Sequence, residues 1–212
     1  TNSITNNRVD NSLLSKTHFE VAKLKFKFMT NAQSLIQGDL HTGSIFVRQD
    51  KTKVFDSEFG TYAPIGYDTG NIIANMIFAY DNGLASDDNV FCDWTLETIK
   101  QIIDLFTNKF NKKFDKLATE PMAKIKGFKE WYLNDLLNDT AGYAGTELHR
   151  RTVGLANVVD VTSIKDEKKR LLAERINIFV GKDYILHQDS FRSGADFVQA
   201  IERAKKAAKA TL

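Results

Sequence analysis

Apolar positions recur along this chain at helical spacing over most of its length, with one short stretch where the spacing changes. From Asn11 to Leu35 neither Gly nor Pro interrupts, and Val21, Leu24, Phe28 and Ala32 share one helical stripe. Lys23 to Phe28 alternates Lys-Leu-Lys-Phe-Lys-Phe as a strand would, but the unbroken length favours a helix over 11–35. Gly38 ends that pattern. Ile45-Phe46-Val47 and Lys53-Val54-Phe55 are β-prone runs flanking the polar Gln49-Asp50-Lys51-Thr52, which predicts a hairpin over 45–56. Gly60 to Gly66, with Pro64 inside, reads as a loop. Ile72, Ile73, Met76, Ile77 and Tyr80 form an apolar helical face that stops near Gly83. Beyond Trp94 the period is helical throughout, over 95–115, 122–138, 143–158, 166–182 and 190–209. The fold class is therefore mainly α, a helical bundle with a short β-hairpin, and the lack of repeats or low-complexity linkers makes residues 1–212 one unit.

Composition narrows the function classes. Hydrophobic residues are 42% and charged residues 26%, enough apolar material for a sizeable core. Lys plus Arg is 29 against 27 Asp plus Glu, without the basic excess of a nucleic-acid binder. Cys92 is the only cysteine, so no internal disulfide and no Cys-based zinc cluster can form, which suits a reducing, cytoplasmic setting. Its surroundings, Val90-Phe91-Cys92-Asp93-Trp94, read as a small buried residue and not as a nucleophile. No apolar run reaches the ~18 residues that a membrane span needs. Thr1 to Asn11 lack both the blocks of a signal peptide and an initiator Met, as expected of a cut inside a longer polypeptide. Trp94 and Trp131 are expected in the core, and Arg203, Lys205, Lys206 and Lys209 on a solvated face near the negative end of the last helix.

The stretch that carries chemistry is Gln37-Gly38-Asp39-Leu40-His41-Thr42-Gly43-Ser44, followed after the hairpin by Asp56-Ser57-Glu58. Phosphoryl transfer to a hydroxyl needs a carboxylate to orient the alcohol and take its proton. It also needs hard oxygen ligands to hold Mg²⁺ against the phosphates. A hairpin brings Asp39 and Asp56 together from opposite ends of the intervening chain, with Ser44 as a further metal-capable oxygen. Protein kinases share this layout of catalytic Asp, ligand five residues on, and Asp after a hairpin.

Gly-Asp-Leu-His-Thr-Gly-Ser at 38–44 and Asp-Ser-Glu-Phe at 56–59 resemble the signature of methylthioribose kinases, in the aminoglycoside-phosphotransferase-like branch of the protein-kinase fold. Val21 to Thr30, Gly66-Tyr67-Asp68-Thr69-Gly70 and His149 to Ala156 are similar to the same family. The resemblance implies an α+β kinase-like carboxy-terminal lobe, with the lobe that covers ATP lying outside this chain. No Gly-x-Gly-x-x-Gly and no early strand-borne Lys is present for the phosphates. It also implies transfer of the ATP γ-phosphate to the 1-hydroxyl of 5-methylthioribose in methionine salvage, by a homodimer. Carried over, Asp39 contacts the sugar hydroxyl as base or orienter. Asp56 and Glu58 hold Mg²⁺-nucleotide, and Ser57 and Ser44 lie near the phosphates. Two positions depart from the family: Gln37 stands where His is usual, and Ser57 where Pro is usual. Gln37 can hydrogen-bond backbone but carries no charge.

Smaller candidates complete the reading. His41 serves either a phosphate or a hydrogen bond that stiffens the loop. Asp68 serves to brace the catalytic loop through backbone N–H groups, to cap the helix after it, or both. Arg150 and Arg151 point about 100° apart on a helix, and the apolar Thr152 to Val159 after them is expected to be buried. At least one guanidinium is thereby turned toward the interior, where the transferring phosphoryl group or Asp39 can pair with it, and Arg150 and Arg151 together are expected to reach into the acceptor pocket near Asp39. Two other functions stay open, an aminoglycoside or choline-type kinase of the same fold and a kinase-derived binding module without turnover. The Ser at 44 argues against the former, since those relatives usually carry Asn there.

Overall fold

A computed structural model of the protein describes residues 11–212, so the opening residues 1–10 and the expectations attached to them lie outside the described residues. The fold is mainly α, 72% helical. Helix α1 spans Asn11–Thr30 and is followed by the short strand β1, Ser34–Ile36. A 3-10 turn at Thr42–Ser44 leads into the hairpin of β2, Ile45–Arg48, and β3, Lys51–Val54. Strand β4, Thr61–Ala63, precedes helices α2, Gly66–Ala85, and α3, Asn89–Leu117. Helix α4 is Phe128–Val153, α5 Val159–Thr162, α6 Glu167–Leu186 and α7 Gly194–Ala210.

The hairpin forms as the pattern predicts, with Ile45 opposite Val54 and Arg48 opposite Lys51, so its turn is the two residues Gln49 and Asp50. Three expectations are corrected. The first helix stops at Thr30, and Ser34–Ile36 instead pairs antiparallel with β4, Ser34 opposite Ala63 and Ile36 opposite Thr61. That pairing also replaces the loop expected over 60–66. The separate helices expected over 122–138 and 143–158 are one continuous α4 that ends at Val153. The small residues at its middle permit close approach. A Cβ on Gly145 would stand 2.6 Å from the carbonyl oxygen of Gly181, so α4 and α6 touch backbone to backbone there. Glycine costs a helix interior about 1 kcal/mol relative to Ala, which tertiary packing offsets at this crossing.

Helix α2 runs through the centre. Ile73, Ala74, Ile77, Phe78 and Tyr80 are fully buried, enclosed by Ile99 and Ile103 of α3, Leu137 and Leu148 of α4, Ile176 and Val180 of α6, and Phe197 and Ile201 of α7. Cys92 is buried as expected. Trp94 and Trp131 are not core residues: they are 56% and 59% exposed, Trp94 stacked on Phe91 and Trp131 against Phe128 at the surface. The stretch after Arg151 is not buried either, because α4 ends at Gly154 and Val153, Leu155 and Val159 face outward. The final cations Arg203, Lys206 and Lys209 are exposed, as expected. Among the described residues no helix is long and apolar enough to cross a membrane.

The core holds a costly carboxyl among its unpartnered buried polar groups. Asp81 on α2 is 1% exposed, and neither carboxylate oxygen finds a hydrogen-bond partner. Burial pushes its carboxyl well above the usual range; the buried amide of Asn177 opposes this without closing a full hydrogen bond, and Asp160 adds to it. The folded state thus keeps a proton that the unfolded carboxyl, at about 3.9, gives up. The unfolded chain then binds fewer protons, so this group's contribution to stability falls as pH rises above about 4. Asp81→Asn, which has no proton equilibrium for burial to shift, is therefore expected to stabilise the protein at neutral pH. Thermal melts at pH 5 and pH 8 would check it: the variant's advantage should be larger at pH 8.

Candidate active site

The loop that carries Asp39 is built against the start of α2. Asp68, in the first turn of that helix, accepts hydrogen bonds from the backbone N–H of Gln37 at 2.6 Å and of Gly38 at 3.0 Å. Burial raises its carboxyl, and those two N–H groups act in the opposite direction. The bracing role expected of Asp68 is what its geometry provides. Gly38 has φ +89°, and a Cβ there would lie 2.2 Å from the carbonyl oxygen of Phe59. Glycine is needed both for the left-handed backbone and for the approach of the segment after β3.

Gln37 joins the two loops. Its Oε1 accepts from the N–H of Asp39 at 2.8 Å, while its Nε2 donates to the carbonyl of Asp56 at 2.6 Å and of Phe55 at 3.2 Å. One neutral amide therefore fixes the backbone of both loops, using a donor and an acceptor that need no protonation change.

Asp56 follows β3 with φ +60°, a left-handed conformation that Asp tolerates better than most residues. Asp56, Ser57 and Glu58 are exposed, and neither carboxylate is held by another described residue. Ser44 departs from its expected place among the open ligands. It is buried, its Oγ lies 3.1 Å from His41 Nε2, and its carbonyl accepts from Phe55 N at 3.1 Å. Ser44 and His41 stiffen the loop, which is the local reading of His41.

The Asp39 side chain is 35% exposed and faces the Arg151 guanidinium and the His41 ring, with Nη2 and Nε2 each 3.9 Å from a carboxylate oxygen. Of the arginine pair, Arg151 is the inward member, 20% exposed, and Arg150 is 49% exposed. The buried anion that holds them is Glu147, which sequence reasoning overlooked. It accepts from Arg150 Nε at 2.7 Å and Nη2 at 3.1 Å, and from Arg151 Nε at 2.8 Å. The signal was present as Glu-x-x-Arg-Arg, since i+3 and i+4 lie on the same helix face as i. Tyr67 was also missed. Its phenol is pushed up by burial first, and it sits close enough to feel Glu147, Arg150 and Asp39.

Beside Arg151 a recess of about 200 Å³ opens, lined also by Thr152, Asn157, Thr162, Arg170 and Glu174. A larger hollow of about 330 Å³ lies elsewhere, between α1, α4 and the end of α6, where Lys27 pairs with Asp135 at 2.7 Å and Asp139 at 2.9 Å. It contains none of the residues above. Among the described residues no group of three or more His, Cys, Asp or Glu is poised as a complete metal cage. Two free carboxylates on one loop nevertheless suit Mg²⁺, which takes one or two protein carboxylates and completes its shell with water and phosphate oxygens.

The chain was compared with known proteins. No protein-family model matches it. It is homologous to methylthioribose kinases: 38% identical over 179 residues to that of Geobacillus sp. (strain WCH70), covering 84% of this chain and 44% of the relative. It is 37% identical over 170 residues to that of Pectobacterium carotovorum, with 78% and 42% covered. The figure for Yersinia enterocolitica is 33% over 187 residues, with 86% and 47% covered. The chain spans less than half the length of these relatives.

If the Gln37 amide is the tie between the loops, Gln37→Ala should raise hydrogen exchange at the Asp39 N–H roughly tenfold, the equivalent of one hydrogen bond of about 1.4 kcal/mol. The Gly38 N–H, held by Asp68, should change little. Amide exchange followed by NMR checks both.

Proposed function

We propose that this chain is the acceptor- and metal-binding lobe of a small-molecule kinase that moves the γ-phosphoryl group of ATP to the 1-hydroxyl of 5-methylthioribose. The observation that carries this reading is the shared clamp: Gln37 hydrogen-bonds the backbone of both Asp39 and Asp56, tying the loop of the proposed acceptor-facing carboxylate to that of the proposed metal-facing one. The kinship with methylthioribose kinases supports the choice of acceptor.

Asp39 accepts a hydrogen bond from the acceptor hydroxyl, orients its oxygen and takes its proton at a carboxylate oxygen. As it does so, the hydroxyl oxygen bonds to the γ-phosphorus, the bond from the γ-phosphorus to the β–γ bridging oxygen breaks, and ADP leaves. Arg151 supplies a planar fork of donors toward the sugar hydroxyls and the phosphoryl oxygens that arrive there. Asp56 and Glu58 hold Mg²⁺-ATP, with Ser57 between them. When bound, the metal neutralises charge on the β- and γ-phosphate oxygens. Ser44 is left out of the ligand set because its hydroxyl is turned inward to His41.

A second lobe completes the cradle. Phe46 and Phe55 stack at 4.4 Å on the hairpin and remain largely exposed, and Phe26, Met29, Phe59 and Tyr62 are exposed around the same loops. These give a nucleotide-covering lobe an apolar face to close on. Positioning of the phosphates supplies most of the catalysis in phosphoryl transfer. Purified residues 1–212 should therefore bind ATP weakly and show no turnover in a coupled ADP assay, and clear turnover by this chain would contradict the second lobe.

In the full-length protein, Asp39→Asn should lower kcat by ~10²–10⁴-fold with KM for ATP within about twofold. Asp56→Asn should instead raise KM for Mg²⁺-ATP. Steady-state kinetics at varied Mg²⁺ separates the two, and loss of the same parameter in both variants would remove the division of roles.

A further inference from the structure

Arg151 stands 3.9 Å from the Asp39 carboxylate, too far for the short charge-assisted hydrogen bond of ~2.7–2.9 Å that such a pair forms when free to close. Its Nε is instead held at 2.8 Å by Glu147, and its Nη1 points to the carbonyl of Ala156 at 3.5 Å. Glu147 is 5% exposed, whereas the Asp39 side chain is 35% exposed. The more buried carboxylate is less screened by water and has the stronger hold on the shared cation. It also takes Arg150 by two nitrogens, so its negative charge is fully engaged.

We infer that Glu147 is a positioning residue that withholds Arg151 from Asp39, leaving the Asp39 carboxylate free to receive the acceptor hydroxyl. The kinetic part of this inference rests on the proposed function; the structural part does not. Two adjacent arginines diverge by about 100°, yet a single carboxylate three and four residues earlier lies between them and fixes both. Arg150 is consumed as a bidentate counter-ion. Arg151, held through Nε by Glu147 and through Nη1 by the Ala156 carbonyl, keeps Nη2 turned toward Asp39. Without the Glu147 charge nothing of equal strength opposes closure of Arg151 onto Asp39, and the acceptor-facing oxygens would be occupied by a guanidinium.

The direct test is a crystal structure of the Glu147→Gln variant of this chain. Arg151 should move to within about 3 Å of an Asp39 oxygen. An Arg151 that stays in place, or turns to solvent, would overturn the inference. Should the variant fail to fold, NMR of the unaltered chain decides: the Nε–H protons of Arg150 and Arg151 should both exchange slowly, and a rapidly exchanging Arg151 Nε–H would overturn the assignment. In the full-length protein, Glu147→Gln should cut kcat by ~10–100-fold with KM for ATP within twofold, and adding Arg151→Gln should cost no more. Additive losses would count against the shared role. Absence of methylthioribose phosphorylation by the unaltered protein would instead sink the proposed function, with the structural measurements still deciding Glu147.

Discussion

The site depends on one carboxylate it does not use for chemistry. Asp68 gathers the N–H groups of Gln37 and Gly38 at the start of α2, satisfying two backbone donors that would otherwise be left in a half-buried turn. Asp68 can do this because α2 is fixed: a few residues on, Ile73 and Ile77 are fully buried in the core. From that anchor the rest follows by short steps. Gly38 lets the segment after β3 press close, Gln37 bonds to it, and Asp39 emerges facing the end of α4. An acid near a helix N-terminus is also favoured by the helix dipole, so fold and loop agree on the same residue.

Much of this was legible in the sequence for local reasons. The hairpin declared itself through two β-prone runs about a polar turn. Asp39 and Asp56 were marked by a glycine turn and by their spacing across that hairpin. What escaped was long-range or tied to close packing. Strands Ser34–Ile36 and Thr61–Ala63 are three residues each, too short to show alternation, and exist only because each supplies the other's hydrogen bonds. Helix α4 was divided in two because glycines read as breaks, although Gly145 serves contact with Gly181. Trp94 and Trp131 were expected inside on hydrophobicity alone, but stacking on neighbouring rings lets both remain at the surface. Burial of Thr152 to Val159 was inferred from composition, and the helix end at Gly154 turns that stretch outward.

The arginine pair meets an anion that its apolar surroundings did not reveal. Arg151 lies 3.9 Å from Asp39, but the buried carboxylate that holds both guanidinium groups is Glu147. The departure at Gln37 is likewise informative. An uncharged amide bonds three backbone groups in the two loops at once. The alignment of Asp39 with Asp56 is thereby built from neutral hydrogen bonds, while charge is reserved for Asp39, Arg151 and the exposed carboxylates of Asp56 and Glu58.

The proposed division of roles, acceptor on Asp39 and metal on Asp56 and Glu58 across the Gln37 clamp, is tested most directly by a crystal structure of the full-length protein with Mg²⁺, a non-hydrolysable ATP analogue and 5-methylthioribose. The 1-hydroxyl is expected within about 2.6–3.2 Å of an Asp39 carboxylate oxygen, Mg²⁺ on Asp56 and Glu58, and Arg151 against the acceptor. An acceptor seated in the hollow beside Lys27, or a metal bound away from Asp56, would contradict it.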